Sequence, residues 1–146
     1  MEQSEQSRIE SKLEVQSYLI DLRYALDHGA KLHFQIDRRV DQKRDIKYTN
    51  RYTIADLFPD EDPVEVLKRE LKTLTVKEYL RTVKDTRFPD LSEMREFGKV
   101  YNGTADVYIK IRVELLDTRY GGGHTTFVMS FHYAETPFSQ EYFPYA

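Results

Sequence analysis

Residues 105–133 read ADVYIKIRVELLDTRYGGGHTTFVMSFHY. Within residues 106–115, aliphatic side chains hold the odd positions and polar or tyrosine side chains the even ones. This period of two indicates a strand with one buried face. Residues 125–133 alternate in a similar way, and the run from Gly121 to Gly123 gives the connecting loop the backbone freedom to reverse. We therefore predict a β-hairpin at the centre of the fold.

The register of this hairpin follows from its centre. If the chain reverses near Tyr120, the numbers of facing residues sum to about 240, so that Tyr108 faces His132 and Lys110 faces Ser130. Odd residues then share one face and even residues the other. The predicted buried face comprises Val107, Ile109, Ile111, Val113, Phe127, Met129 and Phe131. The predicted polar face comprises Tyr108, Lys110, Arg112, Ser130 and His132, a combination of a general acid or base, two cations and a phenol that suits phosphodiester chemistry.

Length and composition limit the remaining possibilities. We expect a single domain spanning residues 1–146, which is long enough for a hydrophobic core. No apolar run reaches membrane-spanning length and residues 1–5 are acidic, so we expect no membrane partner. The absence of cysteine makes the cytoplasm the expected compartment. The four histidines show no ligand spacing, so we expect no metal and no other cofactor.

Positive charge is concentrated in one segment, although the net charge of the chain is −3. Residues 31–54 are basic, whereas the segments on either side are acidic. Such a segment can contact phosphate groups even in an acidic protein, or it can be a solvated loop. We call its four central cations, Arg38, Arg39, Lys43 and Arg44, the basic strip.

The amino-terminal segment predicts a long helix. Ser7 with Glu10 matches a capping box, and Gly29 suits the position after a helix end, so we predict a helix over residues 7–28. Its apolar stripe packs against the sheet, or alternatively docks a partner. The stripe consists of Ile9, Leu13, Leu19, Leu22 and Leu26.

The middle of the chain predicts further elements, which lead into the hairpin through an Asn102-Gly103 turn. Together they indicate a single α+β domain, in which a small, mostly antiparallel sheet is packed by N-terminal and central helices. The predicted elements are a strand at 31–38, a helical turn at 53–58, a helix beginning at Pro63, a short helix at 76–83 and a strand at 94–101.

Four short motifs occur in order along residues 70–137: Leu74 to Tyr79, Phe97 to Lys99, Val107 to Ile111, and Met129 to His132. Taken together they resemble the MqsR-like toxins of bacterial type II toxin–antitoxin systems. In that family a Tyr-Ile-Lys or Tyr-Leu-Lys strand lies beside a final strand carrying Ser-Phe and then His or Lys. The family's small sheet is related to that of the RelE-type ribonucleases.

The resemblance implies a metal-independent endoribonuclease that cleaves messenger RNA, free or on ribosomes, and that a cognate antitoxin protein neutralises. Tyr108 and Lys110 match the family's tyrosine and lysine on the central strand, and His132 matches the basic residue after Ser-Phe. Arg81 stands where the family has a catalytic lysine, and arginine is a poor proton shuttle because it stays charged. Residues 94–97 also lack the tryptophan–glutamine pair of some members. These departures concern the activity more than the fold.

The residues themselves are consistent with such a mechanism, because RNA supplies its own nucleophile, the 2′-hydroxyl. His132 is the candidate base, since its ordinary pKa of about 6.5 lies near neutrality. Tyr108 can hold or protonate a reacting oxygen, and Lys110, with Lys99 or Arg112, can stabilise charge on the phosphate. The candidate catalytic residues are therefore His132, Lys110 and Tyr108. The candidate RNA-binding residues are Arg112, Lys99, Arg81, Arg38, Arg39, Lys43 and Arg44.

Two other classes of function stay open. The polar face can also be an ordinary solvent-facing sheet surface with cross-strand pairs. The alternatives are accordingly a non-catalytic RNA-binding module and a protein-interaction module of the same fold. The acidic net charge counts against both RNA-related functions.

Overall fold

The computed structural model describes residues 5–29, 31–37, 45–115 and 124–146. The basic strip and the glycine-rich loop lie outside these ranges, so the predictions for Arg38, Arg39, Lys43 and Arg44 stay predictions. In chain order the helices and strands are β1 (Glu5–Arg8), α1 (Lys12–Asp27), β2 (Lys31–Phe34), α2 (Asn50–Leu57), α3 (Pro63–Leu71), β3 (Tyr79–Asp85), β4 (Met94–Tyr101), β5 (Ala105–Leu115) and β6 (His124–Tyr133).

These strands form one six-stranded sheet in the order β1-β3-β4-β5-β6-β2. Neighbouring strands are antiparallel except for β2, which runs parallel to β6. The helices α1 and α3 bury their apolar sides against one face of the sheet. The predicted α+β class, with a small and mostly antiparallel sheet, is confirmed. None of the helices in the described ranges is both long and apolar enough to span a membrane.

The central hairpin has the predicted register on one side of a bulge and a different register on the other. Tyr108 faces His132 and Lys110 faces Ser130, as predicted, but Arg112 faces Phe127. The shift leaves Met129 as the extra residue of a β-bulge, and one extra residue reverses the alternation beyond it.

Because of the bulge, the buried face of β6 differs from the predicted one. Val128 is fully buried opposite Ile111, whereas we predicted it on the polar face. The Phe127 ring lies instead beneath the guanidinium of Arg112, and 4.9 Å separates the ring centroid from Arg112 Cζ. The placement of Phe127 and Met129 on the buried face was therefore wrong, while that of Phe131 was correct.

The amino-terminal helix begins later than predicted. Residues 5–8 form β1, which pairs with β3, and α1 starts after Ser11. The capping box that forms is Ser11 with Glu14, one turn beyond the predicted pair. Gly29 has a φ of +81°, as expected for the residue after a helix end. Part of the predicted stripe stays in solvent, since Leu13 is 71% exposed.

The predicted short helix at 76–83 is mostly strand. The capping box of Thr75 and Glu78 forms, but it supports only a single 3₁₀ turn, Val76–Glu78. The chain then enters β3 at Tyr79, where pairing with β4 satisfies the backbone along a strand that contains β-branched Thr82 and Val83. This correction moves Arg81 from a helix surface onto the sheet.

Helix α2 closes the edge of β6 beyond the end of β2. The side-chain amide of Asn50 donates to the carbonyl of Met129 at 3.1 Å, and its oxygen accepts from the Phe131 N–H at 3.0 Å. The hydroxyl of Thr53 accepts from the Tyr133 N–H at 2.9 Å. These bonds satisfy backbone groups that lie beyond the pairing with β2, and they fix the part of β6 that holds the bulge and His132.

Candidate functional site

The face of the sheet opposite α1 and α3 gathers five of the six candidate residues that the structure describes, all but Lys99. Arg81 on β3 pairs with Glu96 on β4, Glu96 pairs with Lys110 on β5, and Lys110 pairs with Ser130 on β6. Because directly paired residues point to the same side, these side chains form one row across four strands. Tyr108 and His132 form the next row. We call Arg81, Glu96, Tyr108, Lys110, Ser130 and His132 the polar cluster.

Glu96 occupies the centre of the polar cluster. Its side chain is 3% exposed, and its carboxylate accepts a hydrogen bond from Arg81 Nε at 2.8 Å. The same carboxylate lies 3.8 Å from Lys110 Nζ, which also pairs with Glu5 at 3.3 Å. The buried carboxylate therefore holds two cations in place.

Sequence reasoning missed Glu96. The residue stands in a strand that alternates poorly, and its partner Arg81 was predicted on a helix. The available signal was the order of charges on neighbouring strands, since a carboxylate between two cations suits a cross-strand row. That signal becomes visible only when residues 79–85 are recognised as a strand.

Tyr108 is a hydroxyl donor in this environment. Burial and then the neighbouring Glu96 carboxylate raise the pKa of Tyr108 well above its ordinary value. The phenol therefore stays protonated at physiological pH. Its ring lies 5.4 Å from the His132 ring, centroid to centroid.

His132 is buried, and one of its ring nitrogens is fixed by the backbone. His132 Nδ1 lies 2.9 Å from the carbonyl oxygen of Tyr133. A carbonyl only accepts hydrogen bonds, so Nδ1 carries the proton in this bond. In the neutral ring the lone pair is then on Nε2. In this tautomer Nε2 can accept a proton as a general base.

The other two candidate cations on β4 and β5 lie in different places. Arg112 extends from β5 on the side of the polar cluster, beyond the bulge, where it covers Phe127. Lys99 pairs with Val107, which faces the core, and its ammonium bonds the hydroxyl of Thr73. The structure therefore brings Arg112 but not Lys99 together with Lys110.

Access to the polar cluster is uneven. The side chain of Arg81 is 46% exposed, whereas that of Lys110 is 7% exposed. The carboxyl-terminal segment covers one flank, because Phe138 packs directly on Gly98, the residue that faces Tyr108. A ligand would therefore meet Arg81 first and reach Lys110 only after displacing neighbouring groups.

The evidence for a function at this site is the chemistry of the side chains described above. Across the ranges described above, no group of three or more histidine, aspartate or glutamate side chains is arranged to hold a metal ion. Comparisons with protein-family models, curated proteins and solved structures found no match. The resemblance to MqsR-like toxins thus stays a prediction.

Proposed function

We propose that this protein is a metal-independent endoribonuclease that cleaves messenger RNA and is neutralised by a cognate antitoxin protein. The observation that supports this most is the convergence of Tyr108, Lys110 and His132 with Arg81 on one face of the sheet. It combines a base, a neutral hydroxyl donor and two cations, which together meet the needs of RNA transesterification.

In the proposed reaction His132 Nε2 removes the proton of the 2′-hydroxyl, and the 2′-oxygen attacks the adjacent phosphorus. The bond from phosphorus to the 5′-oxygen breaks, which leaves a 2′,3′-cyclic phosphate and a 5′-hydroxyl. Tyr108 protonates the departing 5′-oxygen and then recovers its proton from His132. Arg81 and Lys110 stabilise the negative charge that builds on the non-bridging oxygens.

Glu96 acts as a positioning residue in this proposal. Its ion pairs hold the guanidinium of Arg81 and the ammonium of Lys110 on the same side of the sheet. A bound phosphate would compete with Glu5 for Lys110, since Glu5 is the more exposed of that lysine's two partners. Loss of Glu96 would free the cations but also misplace them.

One observation favours the alternative of a non-catalytic interaction module. Lys110 is already paired with two carboxylates and is almost completely buried. A cation in that state can serve the stability of the sheet without meeting a phosphate. The two functions differ in what they predict for variants of His132.

Induced expression in a bacterial host separates these possibilities. The wild type is compared with His132→Ala and Lys110→Ala, following growth and the integrity of messenger RNA. His28→Ala is the matched control, because His28 lies at the end of α1 and stacks on Tyr24. We expect growth arrest and message loss in the wild type and the control only. Arrest in all four would overturn the role of His132, and arrest in none would favour the interaction module.

A further inference from the structure

A cavity of about 470 Å³ lies where α2 meets the start of β5 and the end of β6. Tyr133 lines it, and successive residues of a strand point to opposite faces of a sheet. The cavity is therefore on the other side of the sheet from His132 and the polar cluster. Its volume suits a small organic group and the chain that carries it.

Three tyrosine rings line this cavity, those of Tyr48, Tyr52 and Tyr133. The Tyr52 and Tyr133 rings are 6.4 Å apart, centroid to centroid, and their planes meet at 64°. Rings at such an angle can present their faces to one ligand from two directions. The Lys47 ammonium lies 5.8 Å from the centroid of the Tyr48 ring, so a cation already reaches that ring. We call these three tyrosines the aromatic cage.

The cavity also carries more negative than positive charge. Its charged lining residues are Asp56, Asp106, Glu135 and Lys47. Asp56 Oδ2 accepts a hydrogen bond from the Tyr133 hydroxyl at 2.5 Å, and Asp106 Oδ2 accepts one from the Phe138 N–H at 2.9 Å. These bonds use part of the acceptor capacity of the two carboxylates and leave their charge in place.

This lining favours one kind of cation over another. A primary ammonium brings three hydrogen-bond donors, each of which needs an acceptor. A quaternary ammonium brings the same charge and no donor, and its methyl groups pack on aromatic faces. Aromatic cages are the usual means by which proteins recognise such groups.

We propose that this cavity binds a quaternary ammonium group, through cation–π contacts with the aromatic cage and the charge of Asp56 and Asp106. Such groups occur in small molecules of the choline type and in trimethylated lysine side chains. The chemistry that both share is a cation covered by methyl groups. The proposal does not depend on RNA cleavage, because the cavity and the polar cluster lie on opposite faces of the sheet.

The proposal is tested by an NMR titration of the full chain with choline and with dimethylbutanol, in which a carbon atom replaces the nitrogen. The two ligands have the same shape, so a difference between them reports the charge. We expect choline to bind at least about tenfold more tightly, because cation–π contacts with several rings together are worth roughly that factor. We also expect its methyl protons to shift upfield, since they lie over aromatic faces.

A lysine with both backbone ends capped, with and without trimethylation of its ammonium, extends this titration. We expect the trimethylated form to bind at least about fivefold more tightly than the free ammonium. If it also binds more tightly than choline, the source of the ligand is a modified protein. If choline binds more tightly, the source is a free small molecule. Either order supports the site, whereas equal binding of the two lysines would contradict a quaternary ammonium site.

Two variants test the cage itself. Tyr52→Leu removes one ring, and Tyr52 is 40% exposed, so the change spares the core. We expect it to weaken choline binding about fivefold. Lys47→Met removes the cation that competes for Tyr48, and we expect it to strengthen choline binding about threefold. Tyr24→Leu is the matched control, since Tyr24 is an exposed tyrosine of α1, and it keeps the wild-type affinity.

Equal binding of choline and dimethylbutanol by the wild type, or no binding of choline, would overturn the proposal. Unchanged choline affinity in Tyr52→Leu, or no gain in Lys47→Met, would do the same. The comparison of the two ligands needs no variant, so it decides the question even if a variant folds poorly. We expect His132→Ala to bind choline as the wild type does, so this proposal and the proposed ribonuclease function stand or fall separately.

Discussion

Lys110 Nζ lies 3.8 Å from the carboxylate of Glu96, and both side chains are more than nine-tenths buried. Arg81 approaches the same carboxylate from the opposite side at 2.8 Å. A buried carboxylate between two cations is costly to disturb, because removal of one partner leaves uncompensated charge. This arrangement supports both the stability of the sheet and the proposed chemistry.

The first prediction is that Glu96 contributes more to the stability of the fold than its partner Lys110 does. Glu96→Gln leaves both Arg81 and Lys110 without the buried carboxylate, so it lowers the free energy of unfolding by about 3 kcal/mol. Lys110→Met costs less, because Glu96 keeps Arg81 and the apolar side chain fills the space of the lysine stem. Urea denaturation of both variants measures the difference. Equal losses, or a larger loss for Lys110→Met, would contradict the central position of Glu96.

The second prediction concerns the carboxyl-terminal cover of the sheet. A Cβ at position 98 would lie 2.7 Å from Cε2 of Phe138, closer than real contacts allow. Gly98→Ala therefore lowers the free energy of unfolding by about 1–2 kcal/mol. In a Phe138→Ala background the same change costs much less, because the clashing ring is gone. Denaturation of the two single variants and the double variant measures this coupling, and simple additivity would show that the ring does not rest on Gly98.

The third prediction is a dependence of stability on pH. Burial alone would raise the pKa of Glu10, but hydrogen bonds from Arg95 and Thr82 outweigh it and lower the pKa below the ordinary value of 4.5. The ionised form is thus favoured in the folded state. Its contribution is present above pH 4.5 and is lost as the pH falls through the lowered pKa.

Glu10→Gln tests this dependence, because glutamine does not titrate. We expect the wild type to lose more stability than the variant when urea unfolding is compared at about pH 7 and about pH 3. The variant should also be less stable at the higher pH, where Arg95 has lost its charged partner. Parallel losses in the two proteins would assign the acid sensitivity to other carboxylates.

The fourth prediction concerns the turn that leads into β5. Asn102 has a φ of 52° and Gly103 a φ of 77°, as a type I′ turn requires. Gly103→Ala forces an alanine into this left-handed conformation and lowers the free energy of unfolding by about 1 kcal/mol. Asn102→Gly should have a much smaller effect, since glycine adopts the same angle freely. A thermal melt of each variant distinguishes the two results.

The pairing of Tyr108 with His132 could be predicted from the sequence because polar and aliphatic residues alternate cleanly along β5. The β-bulge could not be predicted, since Phe127, Val128 and Met129 are three consecutive apolar residues. Any of them can face the core, so the pattern does not show where the extra residue lies. The register that forms is accompanied by tertiary contacts, such as the hydrogen bonds between Asn50 and β6.

Local signals at the amino terminus and before β3 were ambiguous for a different reason. Ser7 with Glu10 and Ser11 with Glu14 both match a capping box, and only pairing of residues 5–8 with β3 selects the second. Glu96 was missed for a related reason, since its partner Arg81 was predicted on a helix and not on a strand. The edge strand β1 has only four residues, too few for a period of two to reveal it in the sequence.

In the proposed function, His132 and its neighbours cleave RNA through the 2′-hydroxyl. The most direct measurement incubates the purified protein with a labelled RNA in the presence of EDTA, beside the same strand with 2′-deoxyriboses and beside His132→Ala. We expect cleavage of the ribose strand alone, by the wild type alone, with 2′,3′-cyclic phosphate ends. Cleavage of the deoxyribose strand, or undiminished cleavage by His132→Ala, would contradict it.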